Sequence, residues 1–183
     1  AIFYDSTDGI SRVALDGTSK TTLTAKHGAL RVHGDWLYYT SGGGALARIR
    51  QEESGEEALL TDVHAYELSD NALRFIRLDR DSNTLTLHLR DYTTGAEQQL
   101  AKVDRVLWAG FNQGHLYYQL AKTDGRIDPG LFRVNIDGTE VLKVNKVTAW
   151  ALESVLGDWM YFLQYDGSRM RVKFDGSVGL KFE

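Results

Sequence analysis

The chain has 183 residues, a formal charge of −4, 43% hydrophobic residues and 25% charged residues, values that are ordinary for one soluble globular domain and unlike those of disordered chains. Its basic residues are scattered, so they form no concentrated positive face for a nucleic acid. Cysteine is absent, which excludes disulfides, thiolate metal sites and a cysteine nucleophile, and no apolar run approaches the roughly 20 residues that cross a bilayer. We therefore expect a single domain, 1–183, that neither binds nucleic acid nor inserts into a membrane.

Two patterns recur five times along the chain. The first is an aromatic element, seen as AIFYD, GDWLYYT, DNALRFI, QGHLYYQ and GDWMYFL. The second, an arginine element, follows as GISRVALDGTS, ALARIRQEESG, LTLHLRDYTTG, GLFRVNIDGTE and SRMRVKFDGSV. Apolar and polar residues alternate in these copies, which is the periodicity of a β-strand. Three copies carry Asp-Gly just before their last two residues, a pair that tolerates the positive φ of a tight hairpin turn, so each copy predicts a strand followed by a turn.

Two further strands complete each unit. An outer strand follows the arginine element, and in the last four units an inner strand precedes the aromatic element. Equivalent positions lie 35, 36, 43 and 44 residues apart by subtraction, at Ile2, Leu37, Leu73, Leu116 and Met160. Several short strands repeated with this period are typical of a β-propeller, whose blades are small twisted sheets. We predict an all-β propeller of about five four-stranded blades, in units of approximately 1–27, 28–63, 64–104, 105–148 and 149–183.

The first unit lacks its inner strand, because the sequence starts at the aromatic element. An unpaired sheet edge recruits another strand if nothing covers it. Three sources of that strand are open: the segment SVGLKFE completes the first unit instead of ending the fifth, a longer natural chain supplies it, or a partner chain donates it by β-augmentation. The third source predicts self-assembly through the unpaired blade edge.

The aromatic element (DWLYYTSGG, DWMYFLQYDG) and the arginine element (LFRVNIDGTE, SRMRVKFDGS) resemble the YWTD-type propeller repeats of low-density-lipoprotein-receptor proteins. They are more similar still to bacterial relatives in cell-envelope and secreted proteins, which are known as domains of unknown function. The third unit departs from the pattern, with Ala72 in place of Trp and His88 in place of Arg, and the usual ring of the family has six blades. The resemblance implies a bacterial, extracytoplasmic or secreted module that binds a protein or a glycan through exposed loops, without catalysis.

Ligands of propellers usually meet the loops that enter the inner strands and the central hairpin turns. The candidate ligand-binding residues on or near these loops are His27, His64, Asp104, Arg105, Trp108 and Trp150. Both tryptophans lie outside the register of the aromatic element, so they form either an exposed aromatic contact or a plug of the central channel. The two histidines and Asp104 would suit a divalent metal, but they lack a short ligand spacing, and we expect neither a metal nor a cofactor.

The sequence also leaves an enzyme and a structural subunit open. A glycosidase needs two carboxylates across a cleft, and the available acids are Glu67, Asp70, Asp104 and Glu153. Glu67 and Glu153 fall in different registers, so we expect solvated acids at strand ends and no catalysis. The segment Asp79–Asn83 lacks the glycine and glutamate of a calcium loop and predicts a polar hairpin turn. We predict a non-catalytic binding or assembly module; the alternatives are a propeller enzyme acting on a glycan and a subunit that polymerises by strand donation.

Overall fold

The computed structural model describes residues 1–52, 55–112, 114–120, 130–145, 151–164, 166–176 and 179–182. These residues form nineteen β-strands joined by turns and short loops, and none of them is helical. In the same ranges there is no helix of the length and apolar character needed to cross a bilayer. The prediction of an all-β protein is confirmed.

The strands form five antiparallel sheets, each built from consecutive strands. The first sheet contains β1 (Ile2–Ser6), β2 (Gly9–Val13) and β3 (Lys20–Thr24). The second contains β4 (Ala29–His33), β5 (Trp36–Ser41), β6 (Ala45–Arg50) and β7 (Glu56–Leu60). The third contains β8 (Ala65–Leu68), β9 (Ala72–Asp79), β10 (Thr84–Asp91) and β11 (Glu97–Val103). The fourth contains β12 (Val106–Asn112), β13 (His115–Leu120), β14 (Gly130–Asn135) and β15 (Leu142–Asn145). The fifth contains β16 (Ala151–Leu156), β17 (Trp159–Leu163), β18 (Arg169–Lys173) and β19 (Gly179–Phe182).

This arrangement is the blade-like organisation that the repeat predicts, including a first sheet with three strands. The last strand decides one of the open alternatives. Strand β19 pairs with β18, with Phe182 opposite Arg169, so Gly179–Phe182, the described part of the segment SVGLKFE, belongs to the fifth sheet and not to the first. Among the described strands, β1 pairs with β2 alone.

The chain divides into two compact units, 1–64 and 65–183. The first compact unit holds the first and second sheets, and the second compact unit holds the third, fourth and fifth. The organisation as a single domain remains a prediction.

The hydrophobic core lies between neighbouring sheets. In the first compact unit, Ile10 of the first sheet packs against buried residues of the second sheet. In the second compact unit, one cluster joins the third and fourth sheets and another joins the fourth and fifth. Successive strand residues face opposite sides, so Tyr117 belongs to the cluster shared with the fifth sheet and Tyr118 to the cluster shared with the third. The recurring aromatic pairs therefore pack on both faces, as blade-to-blade packing requires.

The third sheet exchanges two residues of the repeat. In the fourth sheet, Arg133 lies opposite Tyr117, whereas the equivalent pair in the third sheet is Leu89 opposite Arg74. The sequence pattern predicts that His88 replaces the arginine, but His88 lies one residue before that position and stacks on Phe75 with ring centres 5.0 Å apart. The arginine is thus retained in this sheet on the neighbouring strand.

Candidate binding site between the fourth and fifth sheets

A pocket of about 220 Å³ lies between the fourth and fifth sheets. Its lining residues are His115, Tyr117, Arg133, Asp158, Lys173, Phe174 and Asp175. The pocket combines a guanidinium group, an ammonium group, two carboxylates, an imidazole and two further aromatic rings. A small concave site with a few converging polar groups is the kind of place where proteins bind ligands.

Antiparallel pairing brings the residues of the fourth sheet together. His115 begins β13, and Tyr117 lies two residues further on the same face of the strand. The two rings meet edge to face, with centres 6.2 Å apart. Arg133 on β14 lies directly opposite Tyr117. Three polar side chains therefore share one face of a central hairpin, where the sheet and not a loop fixes their positions.

The residues of the fifth sheet come from its two turns at the same end. The backbone N–H of Phe174 donates a hydrogen bond to the carbonyl of Asp158 at 3.1 Å, which ties the two turns together. Phe174 is only 6% exposed, and its ring meets the Tyr117 ring edge to face at 4.7 Å. Lys173 also lines the pocket, and its ammonium group lies 5.3 Å from the centre of the Trp159 ring.

The electrostatics of the pocket favour a protonated phenol and an available guanidinium donor. Burial is the largest effect and raises the pKa of Tyr117, whereas a side-chain hydrogen bond with Arg133 and the charge of Arg133 lower it, and the charge of Asp175 raises it by a smaller amount. The hydroxyl of Tyr117 is therefore a hydrogen-bond donor at neutral pH. Nε of Arg133 is buried and has no hydrogen-bond partner among the described residues, and a buried donor without a partner is costly until an acceptor arrives.

This donor and acceptor set can bind a ligand that carries hydroxyl groups. The carboxylates of Asp158 and Asp175 accept hydrogen bonds from hydroxyl or ammonium groups, and Arg133 and Tyr117 donate them. The Phe174 ring supplies an apolar surface. Arg133 and the Phe-Asp-Gly turn of this site both belong to the repeat. Because a residue that recurs in successive repeats suggests a structural role, the sequence alone does not mark them as a binding site.

The predicted residues His27 and His64 lie in the loops that lead into the inner strands β4 and β8. His27 is exposed, and its Nδ1 lies 2.8 Å from a carboxylate oxygen of Asp5, whose other oxygen accepts the N–H of Gly28 at 3.0 Å. The hydrogen bond with His27 is the largest cause that holds the pKa of Asp5 below its ordinary value. His27 therefore ties the loop before β4 to β1. His64 is exposed and precedes β8.

Asp104 and Arg105 shape the entry into β12. The carboxylate of Asp104 accepts a hydrogen bond from the Thr84 hydroxyl at 3.0 Å. Arg105 adopts a positive φ of 63°, after which Val106 donates its N–H to the carbonyl of Asn83 at 2.8 Å. These contacts hold the loop against the hairpin of the third sheet. No set of three His, Cys, Asp or Glu side chains in the described ranges is arranged to hold a metal ion.

Of the two candidate tryptophans, the structure describes only Trp108. Trp108 is half-buried and packs against the hydrophobic cluster between the fourth and fifth sheets, the cluster that also contains Tyr117 and Phe174. Its contact with a ligand remains a prediction. Trp150 lies outside the described residues.

The acids considered for catalysis make contacts within the fold. Glu153 forms two hydrogen bonds with the guanidinium of Arg169, at 3.0 and 3.3 Å. Glu67 accepts the N–H of Gly114 at 3.4 Å.

The segment considered as a calcium loop is a turn. Asp79 accepts the N–H groups of the next turn residues, which makes Asp79–Asn83 the polar hairpin turn that the sequence predicts.

No protein-family model matches the chain, and no curated protein matches its sequence. Solved structures match its fold. An oligogalacturonate lyase in complex with manganese has 14% identity and a TM-score of 0.60, over 94% of this chain and 58% of the lyase. A chain of a nidogen/laminin complex has 14% identity and a TM-score of 0.57, over 95% of this chain and 71% of that one. TolB from Acinetobacter baumannii has 8% identity and a TM-score of 0.58, over 94% of this chain and 48% of TolB.

These neighbours are β-propellers, and the predicted fold class is confirmed. The neighbour from the nidogen/laminin complex is a propeller of the YWTD type, which is consistent with the resemblance in the repeats. At such low identity the likeness shows the fold alone. This chain spans 58% of the length of the lyase.

Proposed function

We propose that the chain is a non-catalytic binding module of a secreted or cell-envelope bacterial protein, and that the pocket between the fourth and fifth sheets holds a glycan. The observation that carries the proposal is the set of polar groups in that pocket, where Asp158 and Asp175 face Arg133 and Tyr117. Carboxylates paired with guanidinium and phenol donors match the alternating donors and acceptors of sugar hydroxyls. The aromatic ring of Phe174 matches the apolar face of a sugar ring.

The fold neighbours support a binding role without deciding the partner. The nidogen/laminin structure is a complex between proteins, so a propeller of this kind can serve as a binding partner. The oligogalacturonate lyase acts on an acidic glycan, which makes catalysis the outcome that a test must separate from binding. The extracytoplasmic location rests on the resemblance to envelope and secreted relatives.

The test measures binding of the purified chain to an array of neutral and acidic oligosaccharides, with isothermal titration of any hit. Asp158→Asn removes one pocket carboxylate, and Asp104→Asn is the matched control, since it makes the same change in a loop at the other end of the sheets. We expect Asp158→Asn to weaken binding about tenfold or more, equivalent to about 1.4 kcal/mol or more, and Asp104→Asn to leave it unchanged.

Two results would contradict the proposal. If Asp104→Asn alone weakened binding, the glycan would sit on the loops and not in the pocket. If the bound oligosaccharide were cleaved, with products appearing in proportion to time and protein, the chain would be an enzyme. Oligogalacturonate is included among the probes so that lyase activity is tested directly.

The outer edge of β1 is a second proposed contact surface. Only β2 pairs with β1 among the described strands, and open backbone N–H and C=O groups recruit a further strand. Addition of a strand from another copy would slow hydrogen exchange of the β1 amides as protein concentration rises. Exchange that stays the same across concentrations would exclude this mode of assembly.

A further inference from the structure

The Asp-Gly turns of the second compact unit, 65–183, pack against the outer strand of the preceding sheet. A Cβ placed on Gly138 of the fourth sheet would lie 3.0 Å from the carbonyl oxygen of Leu100 on β11. A Cβ placed on Gly176 of the fifth sheet would lie 2.4 Å from the carbonyl oxygen of Val144 on β15. At both positions the turn therefore touches the neighbouring backbone directly.

An arginine on the preceding sheet faces the acid beside each turn. The charge of Arg74 on the third sheet helps to lower the pKa of Asp137, after the larger effect of hydrogen bonds from Thr139. Arg133 on the fourth sheet and Asp175 on the fifth line the same pocket.

A similar contact joins the two sheets of the first compact unit, 1–64. Arg12 on the first sheet donates to the carbonyl of Gln51 at 3.1 Å and pairs with Glu52 at 2.6 Å, both in the turn of the second sheet. In three pairs of neighbouring sheets, therefore, an arginine of one sheet lies near an acidic residue in a turn of the next sheet.

The first sheet presents a corresponding turn that is exposed. Val13 lies opposite Ile2 as Val172 lies opposite Met160, so Leu15 corresponds to Phe174. Leu15 is 80% exposed, whereas Phe174 is 6% exposed. A Cβ on Gly17 would meet no atom of the described residues within 4 Å.

A second apolar residue on that face of the first sheet is exposed as well. Ile2 is 53% exposed, whereas its counterpart Met160 is fully buried against the fourth sheet. Asp16 holds its turn as Asp137 does, because one carboxylate oxygen of each accepts the N–H and hydroxyl of a threonine two residues later. Asp137 also feels the charge of an arginine, so this turn geometry is compatible with the same pairing at Asp16.

The fifth sheet carries the complementary half. Arg171 lies opposite Tyr161, as Arg133 lies opposite Tyr117 in the fourth sheet. Alternation along β17 and β18 turns this pair away from the fourth sheet, because the intervening Met160 and Val172 face it. The described contact of the Arg171 guanidinium is with the Trp159 ring, 4.4 Å from its centre. The outer face of the fifth sheet thus offers an arginine and aromatic rings.

We propose that the chain associates head to tail with a second copy, the first sheet of one copy packing on the outer face of the fifth sheet of another. Leu15 of the first copy covers the Tyr161 and Trp159 rings of the second, and Asp16 pairs with Arg171. The two surfaces are different, so the contact is heterologous and continues from copy to copy until it closes as a ring or extends as a filament. This contact uses sheet faces and leaves the β1 edge and the glycan pocket uninvolved.

The test is the mass of the full chain by light scattering and sedimentation across a wide concentration range. We expect concentration-dependent association that Leu15→Ser weakens about tenfold or more. Leu15 is 80% exposed, so we expect this variant to fold as the parent does. The matched control is Val141→Ser, at another exposed apolar residue, with 60% exposure, and it should associate as the parent does.

Charge reversal tests the pairing of the two surfaces. Arg171→Glu and Asp16→Lys should each weaken association, and an equimolar mixture of the two variants should restore it, because one lysine then meets one glutamate. Lys102→Glu, at an exposed residue of the outer strand of the third sheet, is the control for charge. A monomer at every concentration would overturn the proposal. So would association that survives both Leu15→Ser and Arg171→Glu, since it would arise at the β1 edge or another surface.

Discussion

Replacing Gly176 by alanine tests the contact between neighbouring sheets most directly. Gly176 has φ of 77° in the last Asp-Gly turn, and the added Cβ would lie 2.4 Å from the carbonyl oxygen of Val144. Alanine in the left-handed region costs about 1 to 2 kcal/mol. The backbone shift that relieves the overlap costs about 1 to 3 kcal/mol more, by comparison with overpacked cores. We expect Gly176→Ala to lower the free energy of unfolding by about 2 to 5 kcal/mol.

Gly157→Ala separates the two contributions. Gly157 belongs to the same sheet and has φ of 55°, but its added Cβ would meet nothing within 4 Å among the described residues. It should lose about 1 to 2 kcal/mol, the conformational cost alone. Gly138→Ala should fall between the two, since its closest contact is 3.0 Å.

Urea denaturation followed by tryptophan fluorescence gives the three free energies of unfolding, provided that the slope with urea stays constant. Equal losses in Gly176→Ala and Gly157→Ala would refute the reasoning. The turn of the fifth sheet would then not press on the backbone of the fourth, and the rule that relates successive sheets would fail with it.

Two further substitutions test the buried polar and aromatic contacts. The Tyr39 hydroxyl donates to the carboxylate of Glu56, so Tyr39→Phe should cost about 1 to 3 kcal/mol at neutral pH. Burial and Glu56 raise the pKa of Tyr39 above its ordinary value near 10, so the folded state holds this proton more tightly and stability should fall as pH rises above 10, less so in Tyr39→Phe. Trp108→Ala should lower the free energy of unfolding by about 1 to 3 kcal/mol because the ring packs on the core cluster; a loss under about 0.5 kcal/mol would indicate an exposed ring instead.

The strands could be predicted because their signals are local. Alternation along elements such as LFRVN predicts a strand, and the following Asp137-Gly138 predicts a tight turn, since both depend only on neighbouring residues. The recurrence of both elements in step then predicts a propeller. The register of the third repeat could not be predicted from the sequence, because its Arg74 lies on the other strand of the hairpin, opposite Leu89.

The candidate site could not be predicted in the same way. His27 and Asp104 lie in loops, where propeller ligands usually bind, and the structure shows that they hold these loops to neighbouring strands. Arg133 and Asp175 are far apart in sequence and belong to motifs that repeat, so nothing local marks them as a pocket. Their convergence depends on how one sheet packs on the next.

The sequence by itself determined the class of the strands, their turns and their grouping into sheets, because backbone geometry and side-chain alternation are properties of short segments. Only the tertiary structure decided which faces are filled. Phe174 and Leu15 occupy equivalent positions of the repeat, yet one is buried against the fourth sheet and the other is exposed. The difference comes from the neighbour and not from the residue, because burial is a property of the packed surface around a side chain.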